Sequence, residues 1–172
     1  KRSFFTLLEQ KNLHQITVKE LCDLAGINRG TFYKHYANIF DLMGQLEAEL
    51  IEKSRQIATF FNEASSSSDD RFVKTLLHIQ DNVEDYRLIL LNPSSERCLN
   101  PLLTQMHAQH VSQLVDQHGL SKATGEYTFT YMTEGCTSVV WQWIKGGMQE
   151  SPHEIASLLN ALIQHGMAAF VP

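Results

Sequence analysis

The stretch ITVKELCDLAGINRGTFYKHY, residues 16–36, is the most informative part of this sequence. Thr17 and Glu20 match the S/T-x-x-E capping box, so a helix is expected to start at Val18. Gly26 is expected to end that helix after about two turns, because glycine adopts the positive φ that a sharp turn needs. The stretch therefore predicts a short helix followed by a tight turn.

A second short helix is predicted after the turn. Asn28 is a residue type preferred at helix N-caps, and the helix that it starts is expected to cover about residues 29–35. Cys22 lies where the two helices would cross, a position that only a small side chain fits, and Ile27 would anchor the turn in the core. Two short helices joined by a glycine-containing turn make a helix-turn-helix, whose second helix enters the major groove of DNA.

The side chains around this second helix suit contact with DNA. Arginine and lysine can donate to guanine O6 and N7, a helix N-terminus attracts phosphate, and threonine and tyrosine can reach a phosphate or a thymine methyl group. Phe32 and Tyr36 are expected to face inward. The residues that suit DNA contact are Asn28, Arg29, Gly30, Thr31, Tyr33, Lys34 and His35, with Thr17 and Lys19 of the preceding helix placed to grip the DNA backbone.

Charge is distributed unevenly along the 172 residues. The formal net charge of −5 argues by itself against a nucleic-acid-binding protein. Residues 1–36, however, carry six basic and three acidic side chains, a net charge of +3, whereas the remaining 136 residues carry eight basic and sixteen acidic ones, a net charge of −8. Because an acidic surface cannot lie along a polyanion, any DNA contact is expected from the N-terminal segment.

Helical spacing of apolar residues runs through the rest of the chain. Apolar side chains recur at i+3 and i+4 over residues 39–61 and 72–90, and the strict alternation typical of strands is absent. Residues 101–118 form another helical pattern, which Gly119 would end. The pattern predicts an all-α protein of about eight or nine helices.

Two further apolar helices are predicted at the end of the sequence. The first covers about residues 125–145 and is followed by Gly146-Gly147. Ser151-Pro152-His153-Glu154 then combines a capping box with proline at the first helical position. The apolar stripe of this last helix is expected to run from Ile155 to Phe170.

Composition excludes several classes of protein. With 43% hydrophobic and 19% charged residues, the chain is neither disordered nor of low complexity. No apolar run approaches the roughly 18 residues of a membrane span, and no signal-peptide core follows the N-terminus, so a cytoplasmic location without a membrane partner is expected. Cys22, Cys98 and Cys136 are too widely spaced for a disulfide framework or a zinc finger.

Residues 13–46 resemble the DNA-binding domain of the TetR family of one-component transcriptional regulators. The motif Arg-Gly-Thr-Phe-Tyr-x-His-Tyr at residues 29–36, followed by Asp41-Leu42, carries the resemblance. It implies a helix-turn-helix DNA-binding domain over residues 1–46 and an effector-binding and dimerisation domain over residues 47–172. By resemblance, the operator contacts fall to Thr17, Lys19, Arg29, Thr31, Tyr33, Lys34, His35 and Tyr36.

One position departs from the family pattern. The family usually places a lysine at the start of the connecting helix, where it holds a phosphate, and this chain has Ile39 there. The missing cation is expected to weaken DNA affinity or to leave the backbone contact to Asn38.

The resemblance also implies a mechanism. The chain would act as a homodimer, most often as a repressor, through a four-helix interface made by residues 126–145 and 154–169. Two recognition helices would then read a near-palindromic operator, and a small-molecule effector would release it. No cofactor and no catalytic activity are expected. The candidate effector-pocket residues are Tyr86, Met106, His110, Phe129, Met132 and Trp141, although a place in the core or the dimer interface is the favoured interpretation of aromatic side chains at this helical spacing.

Other functions have weaker support in the sequence. A helical ligand-binding or protein-binding module with a weakened DNA-binding domain is motivated by Ile39 and the net acidity. A small helical enzyme lacks any catalytic constellation. His107 and His110 are spaced to share a metal ion on one helix, although surface or pocket histidines are the favoured interpretation. Cys98 beside Arg97 is compatible with a low-pKa thiol, although a structural cysteine is favoured.

Overall fold

A computed structural model of the chain describes residues 1–62 and 67–168. This part of the chain contains nine α-helices and no strand, which confirms the all-α prediction. Phe170, the expected end of the last apolar stripe, lies outside the described residues, as does residue 169. The helices are α1 (Arg2–Leu8), α2 (Val18–Ala25), α3 (Arg29–Tyr33), α4 (Ile39–Asn62), α5 (Ser68–Asp81), α6 (Val83–Leu91), α7 (Asn100–His118), α8 (Lys122–Lys145) and α9 (Pro152–Met167), with 3-10 helices at Leu13–Gln15 and Pro93–Leu99.

Local capping signals explain where the later helices begin and end. At α9 the predicted capping box forms, since the Glu154 N–H donates to the Ser151 hydroxyl and the Glu154 carboxylate accepts from the Ser151 N–H. Gly119 follows α7 with a φ of 63°, as expected for a glycine that ends a helix. The start of α8 was predicted too late: Ser121 accepts a hydrogen bond from the Thr124 N–H at 3.1 Å and so begins the helix at Lys122.

The chain folds into two compact units. The first unit contains Lys1–Lys53 and Glu84–Leu99. In it α1 packs against α2 and α2 against α3. Burial of apolar surface stabilises this arrangement, and its buried side chains include Phe4, Leu21, Phe32, Leu42, Leu46, Leu50 and Leu88.

The second unit contains Ser54–Val83 and Asn100–Pro172. Here α5 packs against α9 and α7 against α8. The buried amide of Asn160 on α9 donates to the Asp69 carboxylate on α5, which satisfies a polar group in the core. The buried apolar side chains of this unit include Leu76, Ile79, Val111, Trp143, Ile155 and Leu159.

None of the helices within the described residues combines the length and the apolar character that crossing a membrane requires.

Candidate nucleic-acid interface

The turn between α2 and α3 has the predicted conformation. α2 ends at Ala25, and Gly26 adopts a φ of 67°. The Ile27 N–H donates to the Cys22 carbonyl at 3.0 Å and closes the turn. Cys22 is buried, as predicted, but Ile27 remains 40% exposed, so the prediction that it anchors the turn in the core was wrong. The backbone hydrogen bond fixes this turn instead.

The predicted capping box of α2 forms only in part. The Thr17 hydroxyl accepts from the Glu20 N–H at 3.2 Å, as predicted for the N-cap. The Glu20 carboxylate, however, accepts from the Lys11 ammonium at 2.5 Å rather than from the Thr17 N–H. Lys11, six residues before the N-cap Thr17, is therefore the partner of the Glu20 carboxylate in place of the Thr17 N–H.

The side chains of Asn28 and Thr31 hold the first turn of α3. Asn28 Oδ1 accepts from the Thr31 N–H at 2.7 Å and from the Thr31 hydroxyl at 3.1 Å. The helix is shorter than predicted and ends at Tyr33, although the Lys34 N–H still donates to the Gly30 carbonyl at 3.2 Å. The cap occupies Asn28 Oδ1, so its amide Nδ2 is the group of that side chain left to meet a base edge.

Phe32 fixes which face of α3 points outward. Its ring is buried and lies edge-on to Tyr33, with ring centroids 5.5 Å apart, and tilted against Tyr36 at 5.4 Å. Burial of Phe32 turns the remaining side chains of this short helix towards solvent. Of the ten predicted contact residues, Thr31 and Tyr36 are half-buried, and the exposed ones are Thr17, Lys19, Asn28, Arg29, Gly30, Tyr33, Lys34 and His35.

Some basic residues of the N-terminal segment, residues 1–36, already have an acidic partner and so do not contribute net positive charge to the surface. Lys1 pairs with Glu49 and with Asp85, and Lys11 pairs with Glu20. The other basic residues of this segment make no ion pair within residues 1–62 and 67–168; they are Arg2, Lys19, Arg29 and Lys34. The three that lie on the helix-turn-helix, Lys19, Arg29 and Lys34, carry the positive charge of the exposed face.

The structure at the start of α4 shows the environment of Ile39, the residue that stands in place of the lysine usual in the TetR-family pattern. The side chain of Ile39 is 5% exposed and belongs to the core of the first unit. Asn38 and Asp41 cap the helix: Asn38 Oδ1 accepts from the Asp41 N–H at 2.9 Å, and Asp41 accepts from the Ala37 N–H at 2.8 Å. Phe40 is 53% exposed, and its ring lies 5.3 Å from that of His14. The sequence motif gave no signal for this pair, because it joins two distant segments.

Five polar contacts, made at three carboxylates, fasten residues 84–99 to the N-terminal part of the first unit. The Asp85 carboxylate accepts from Lys1 and Lys53, the Arg87 guanidinium donates to Glu9 at 2.6 Å, and Glu47 accepts from Ser95 and Arg97. Burial raises the pKa of the Asp85 carboxyl, but the bonds from Lys53 and Lys1 outweigh burial and hold that pKa below its ordinary value. The sequence predicted none of these five contacts.

The six candidate effector-pocket residues are distributed over both units. Tyr86 belongs to the first unit, where it is fully buried, and burial raises the pKa of its hydroxyl. Met106, His110 and Phe129 lie together in the second unit: His110 Nδ1 is 2.8 Å from the Met106 carbonyl, and the rings of His110 and Phe129 are 6.2 Å apart. Met132 and Trp141 are half-buried side chains of α8.

Histidine and phenylalanine rings form a cluster around this group. The Phe61 ring lies 5.8 Å from Phe72 and 6.1 Å from His110, and the His107 ring lies 4.9 Å from Phe129. His107 Nε2 is also 2.5 Å from a carboxylate oxygen of Glu126. Phe61, Phe72, His107 and Glu126 were not among the predicted pocket residues, because four different helices, α4, α5, α7 and α8, bring them together.

The two alternative hypotheses concern a metal ion shared by His107 and His110 and a low-pKa thiol at Cys98. His107 faces Glu126 and His110 faces a backbone carbonyl, and the described residues contain no group of three side chains that could hold a metal ion. Cys98 is fully buried. Burial and the Glu47 carboxylate raise the pKa of its thiol despite Arg97, so the hypothesis of a low-pKa thiol was wrong.

An apolar groove runs between α8 and α9. Its volume is about 420 Å³, and Met132, Cys136, Leu159 and Ile163 contribute to its walls. Beside them, Tyr127 and Tyr131 are 78% and 76% exposed. These two tyrosines are the most exposed of the large hydrophobic side chains among the described residues.

Two family models match successive parts of this chain. Residues 5–46 match the model of the bacterial regulatory proteins of the tetR family, and residues 66–165 match the model of a transcriptional regulator C-terminal region. A comparison of the sequence with curated proteins gives no match.

Several solved structures are similar to this chain. The fatty acid degradation regulator FadR from Bacillus halodurans aligns with a TM-score of 0.59 at 13% identity, covering 94% of this chain and 91% of that one. FadR from Bacillus subtilis, solved in complex with stearoyl-CoA, aligns at 0.56 and 13%, covering 94% and 96%. The dihydroxyacetone kinase operon activator DhaS aligns at 0.54 and 18%, covering 99% and 95%. At these identities the similarity shows the shared fold.

Proposed function

This chain belongs to the TetR family of transcriptional regulators, and we propose that it is a ligand-responsive repressor that binds a palindromic operator as a homodimer. Residues 1–46 are the DNA-binding domain in this proposal, and residues 47–172 bind the effector and form the dimer. The chain is a regulator and not an enzyme. The observation that carries the proposal is the exposed cationic face of α3, held outward by the burial of Phe32.

Operator contact is proposed for the ten residues predicted from the sequence. α3 enters the major groove, where Arg29 and Lys34 donate to guanine edges or to phosphates. Gly30 lets the backbone of α3 approach the DNA closely. Thr17 and Lys19, at the start of α2, hold the adjacent phosphates. Asn28 and Thr31 also cap α3, so they fix the helix as well as facing the groove.

Dimerisation through α8 and α9 is the second part of the proposal. Among the described residues of these helices, the large exposed apolar ones are Tyr127, Tyr131, Leu158 and Leu162. All of them except Leu158 line the groove described above. Packing this face against the same face of a second copy would remove that apolar area from water. The symmetric pair would present two α3 helices to half-sites about one helical turn apart.

Within residues 47–172, the effector is proposed to bind at the ring cluster of the second unit. The half-buried rings of His107, His110 and Phe129 suit a ligand that has an apolar or aromatic body. Met106, Met132 and Trp141 remain the other candidate residues of this unit, and Tyr86, the sixth candidate, lies in the first unit. FadR from Bacillus subtilis, which shares this fold, was solved in complex with stearoyl-CoA, and this supports a ligand with an apolar body. A ligand that binds more tightly to the DNA-incompetent arrangement releases the operator by shifting the population of conformations.

Binding to DNA from upstream of its own gene tests this proposal. We expect tight binding that Tyr33→Ala and Lys34→Ala each weaken by about tenfold or more, because each removes an exposed contact side chain. Lys145→Ala, which removes an exposed lysine of α8, is the matched control and should bind like the parent. Equal affinities for all four proteins would contradict the assignment of α3 as the recognition helix.

A weakened DNA-binding domain is the second candidate, and the burial of Ile39 favours it. In that case the protein is a ligand-binding or protein-binding module. A folded dimer that binds no genomic fragment at low salt would support this alternative over the first proposal.

A further inference from the structure

The ring cluster of the second unit combines phenylalanine rings with one carboxylate and two imidazoles. Helices α4, α5, α7 and α8 all contribute to it, yet each of its side chains is only half-buried. Solvent therefore reaches the rings, and a ligand can contact them without unfolding the unit. The side chains of the cluster are Phe61, Phe72, His107, His110 and Phe129, with Glu126 bound to His107.

The polar side chains of the cluster lie around the ring of Phe129. The rings of His107 and Phe129 are nearly perpendicular, with centroids 4.9 Å apart, and the His110 ring is tilted against Phe129 at 6.2 Å. Glu126 lies three residues before Phe129 and so on the same face of α8. Its carboxylate is 2.5 Å from His107 Nε2. One aromatic ring is therefore bordered by all three polar side chains.

Hydrogen bonds within the cluster determine what its polar atoms can still bind. His110 Nδ1 lies 2.8 Å from the Met106 carbonyl, which only accepts, so Nδ1 carries the hydrogen and Nε2 of the neutral ring is an acceptor. The ionised Glu126 carboxylate accepts from His107 Nε2 in the same way, which leaves His107 Nδ1 as an acceptor. These two nitrogens and Glu126 Oε1 make no hydrogen bond within residues 1–62 and 67–168. Because all three atoms are acceptors, the complementary ligand group is a donor.

The cluster also carries a negative charge. A neutral His107 donates to Glu126 without cancelling its charge. Lys122, one turn earlier on α8, is exposed and makes no ion pair with Glu126 in the described part of the chain. Arg71 and Lys74, the cations nearest to Phe72 in sequence, have interactions of their own. A positively charged ligand therefore gains from Glu126 and from the electron-rich faces of the phenylalanine rings.

We propose that the ring cluster binds an organic amine with an aromatic body, in its protonated form. The ammonium group donates to Glu126 Oε1 and to the accepting imidazole nitrogens, and the body lies against the phenylalanine rings. A ligand with a carboxylate head would meet acceptors only and would bring a second negative charge beside Glu126. This inference rests on the proposed effector site and names the chemical class of its ligand.

Calorimetric titration of the full chain with three ligands that share one body tests this assignment. Phenylbutylamine, phenylbutanol and phenylbutyrate carry the same phenyl ring and the same number of carbons, and differ in the head group. At about pH 8 the amine keeps its proton, as lysine does, whereas a histidine of ordinary pKa is neutral. We expect the amine to bind about tenfold more tightly than the alcohol, because only the amine pairs with Glu126 and the ring faces. Phenylbutyrate should bind more weakly than the alcohol.

Three variants locate the source of this preference. Glu126→Gln removes the charge but keeps an oxygen that can accept from His107, so it should lose most of the preference for the amine and bind phenylbutanol like the parent. Glu150→Gln is the matched control, since it neutralises an exposed glutamate between α8 and α9, and it should keep the preference. Phe129→Leu should weaken the binding of amine and alcohol by about threefold or more, because both bodies contact this ring.

The outcomes separate the ligand class from the proposed function. If the three ligands bind the parent equally and Phe129→Leu weakens all of them, the preference for an amine is wrong while the effector site stands. If Glu126→Gln keeps the preference, or Phe129→Leu changes no affinity, the amine binds elsewhere and the assignment is wrong. If none of the three ligands binds, the proposed effector site fails with the assignment, whereas operator titration without ligand tests DNA binding independently. Thermal melting of each variant checks folding before affinities are compared.

Discussion

The helix-turn-helix of the first unit and the α8–α9 face of the second unit expose opposite chemistry. The helix-turn-helix exposes Lys19, Arg29 and Lys34, whereas α8 exposes Tyr127 and Tyr131. In both regions, helix caps and buried side chains fix the fold. Asn28 and Phe32 hold α3, and Ser121 and Ser151 cap α8 and α9. Function is therefore best sought first in the exposed cations and tyrosines, whose side chains are neither buried nor part of a helix cap, while Asn28 serves both roles in the proposed function.

The largest expected effect comes from breaking the apolar face. Leu162→Glu places a carboxylate in the surface proposed to be buried between two copies, where burial of an unpaired charge is costly. We expect the dimer to dissociate and the operator affinity to fall by about 100-fold or more, because one subunit contacts only one half-site. Analytical ultracentrifugation and operator titration measure the two effects.

His153→Glu is the control for this substitution, since it adds a carboxylate at an exposed position in the first turn of the same helix. It should remain a dimer. If Leu162→Glu is also a dimer at the same concentration, the proposed interface is wrong.

Removing a cation from α3 tests the proposed DNA-contacting face of the helix-turn-helix. Arg29→Ala should reduce operator affinity by about 10- to 100-fold, because a specific base contact is worth about 1–3 kcal/mol. Its thermal stability should stay close to that of the parent, since Arg29 is exposed and makes no described ion pair. Operator titration beside a thermal melt checks both, and a large loss of stability would contradict the separation of fold and contact residues.

Loss of the part-buried ion pairs of Asp85 should lower the stability of the protein. Asp85→Asn removes the acceptor of Lys1 and Lys53 and should lower the free energy of unfolding by about 1–2 kcal/mol. The folded-state pKa of Asp85 is lowered, so its stabilisation is present at neutral pH and is lost as the pH falls below about 4.

Urea unfolding of parent and variant at several pH values measures this difference. The two proteins should converge at the acidic end. Glu84→Gln, at the exposed neighbouring position, should change little. A gap that stays constant down to the lowest pH would show that the Asp85 charge is not the source of the stability.

The smallest expected effect is on the cap of α3. Asn28→Ala removes the acceptor of the Thr31 N–H and should destabilise the protein by about 1 kcal/mol, which lowers the melting temperature by about 2–4 °C. Asn28→Asp retains the cap and should retain the stability of the parent. If both variants melt like the parent, the hydrogen bond from Thr31 does not stabilise α3.

Local signals in the sequence predicted the parts of the fold that depend on neighbouring residues. Gly26, Asn28 and the Ser151 capping box were predicted correctly because each acts within about four residues of its partner. Glu20 was not, because its carboxylate pairs with Lys11 instead of the local backbone, and Ile27 was not, because it remains exposed at a turn that a backbone hydrogen bond closes.

Contacts between distant segments left no local pattern to detect. The bond between Arg87 and Glu9 joins residues far apart in sequence, and so does that between His107 and Glu126. Periodicity reports which face of a helix is apolar, but it does not report which helix covers that face. The attachment of residues 84–99 to the first unit could therefore be seen only in the structure.

The salt dependence of operator affinity tests the central claim most directly. A dimer in which each subunit neutralises about three phosphates should show a slope of about −5 when log K is plotted against log salt concentration. The three unpaired cations of the helix-turn-helix, Lys19, Arg29 and Lys34, match that number of contacts per subunit. A slope of about −5 supports docking of both α3 helices on DNA, and a flat slope would contradict it.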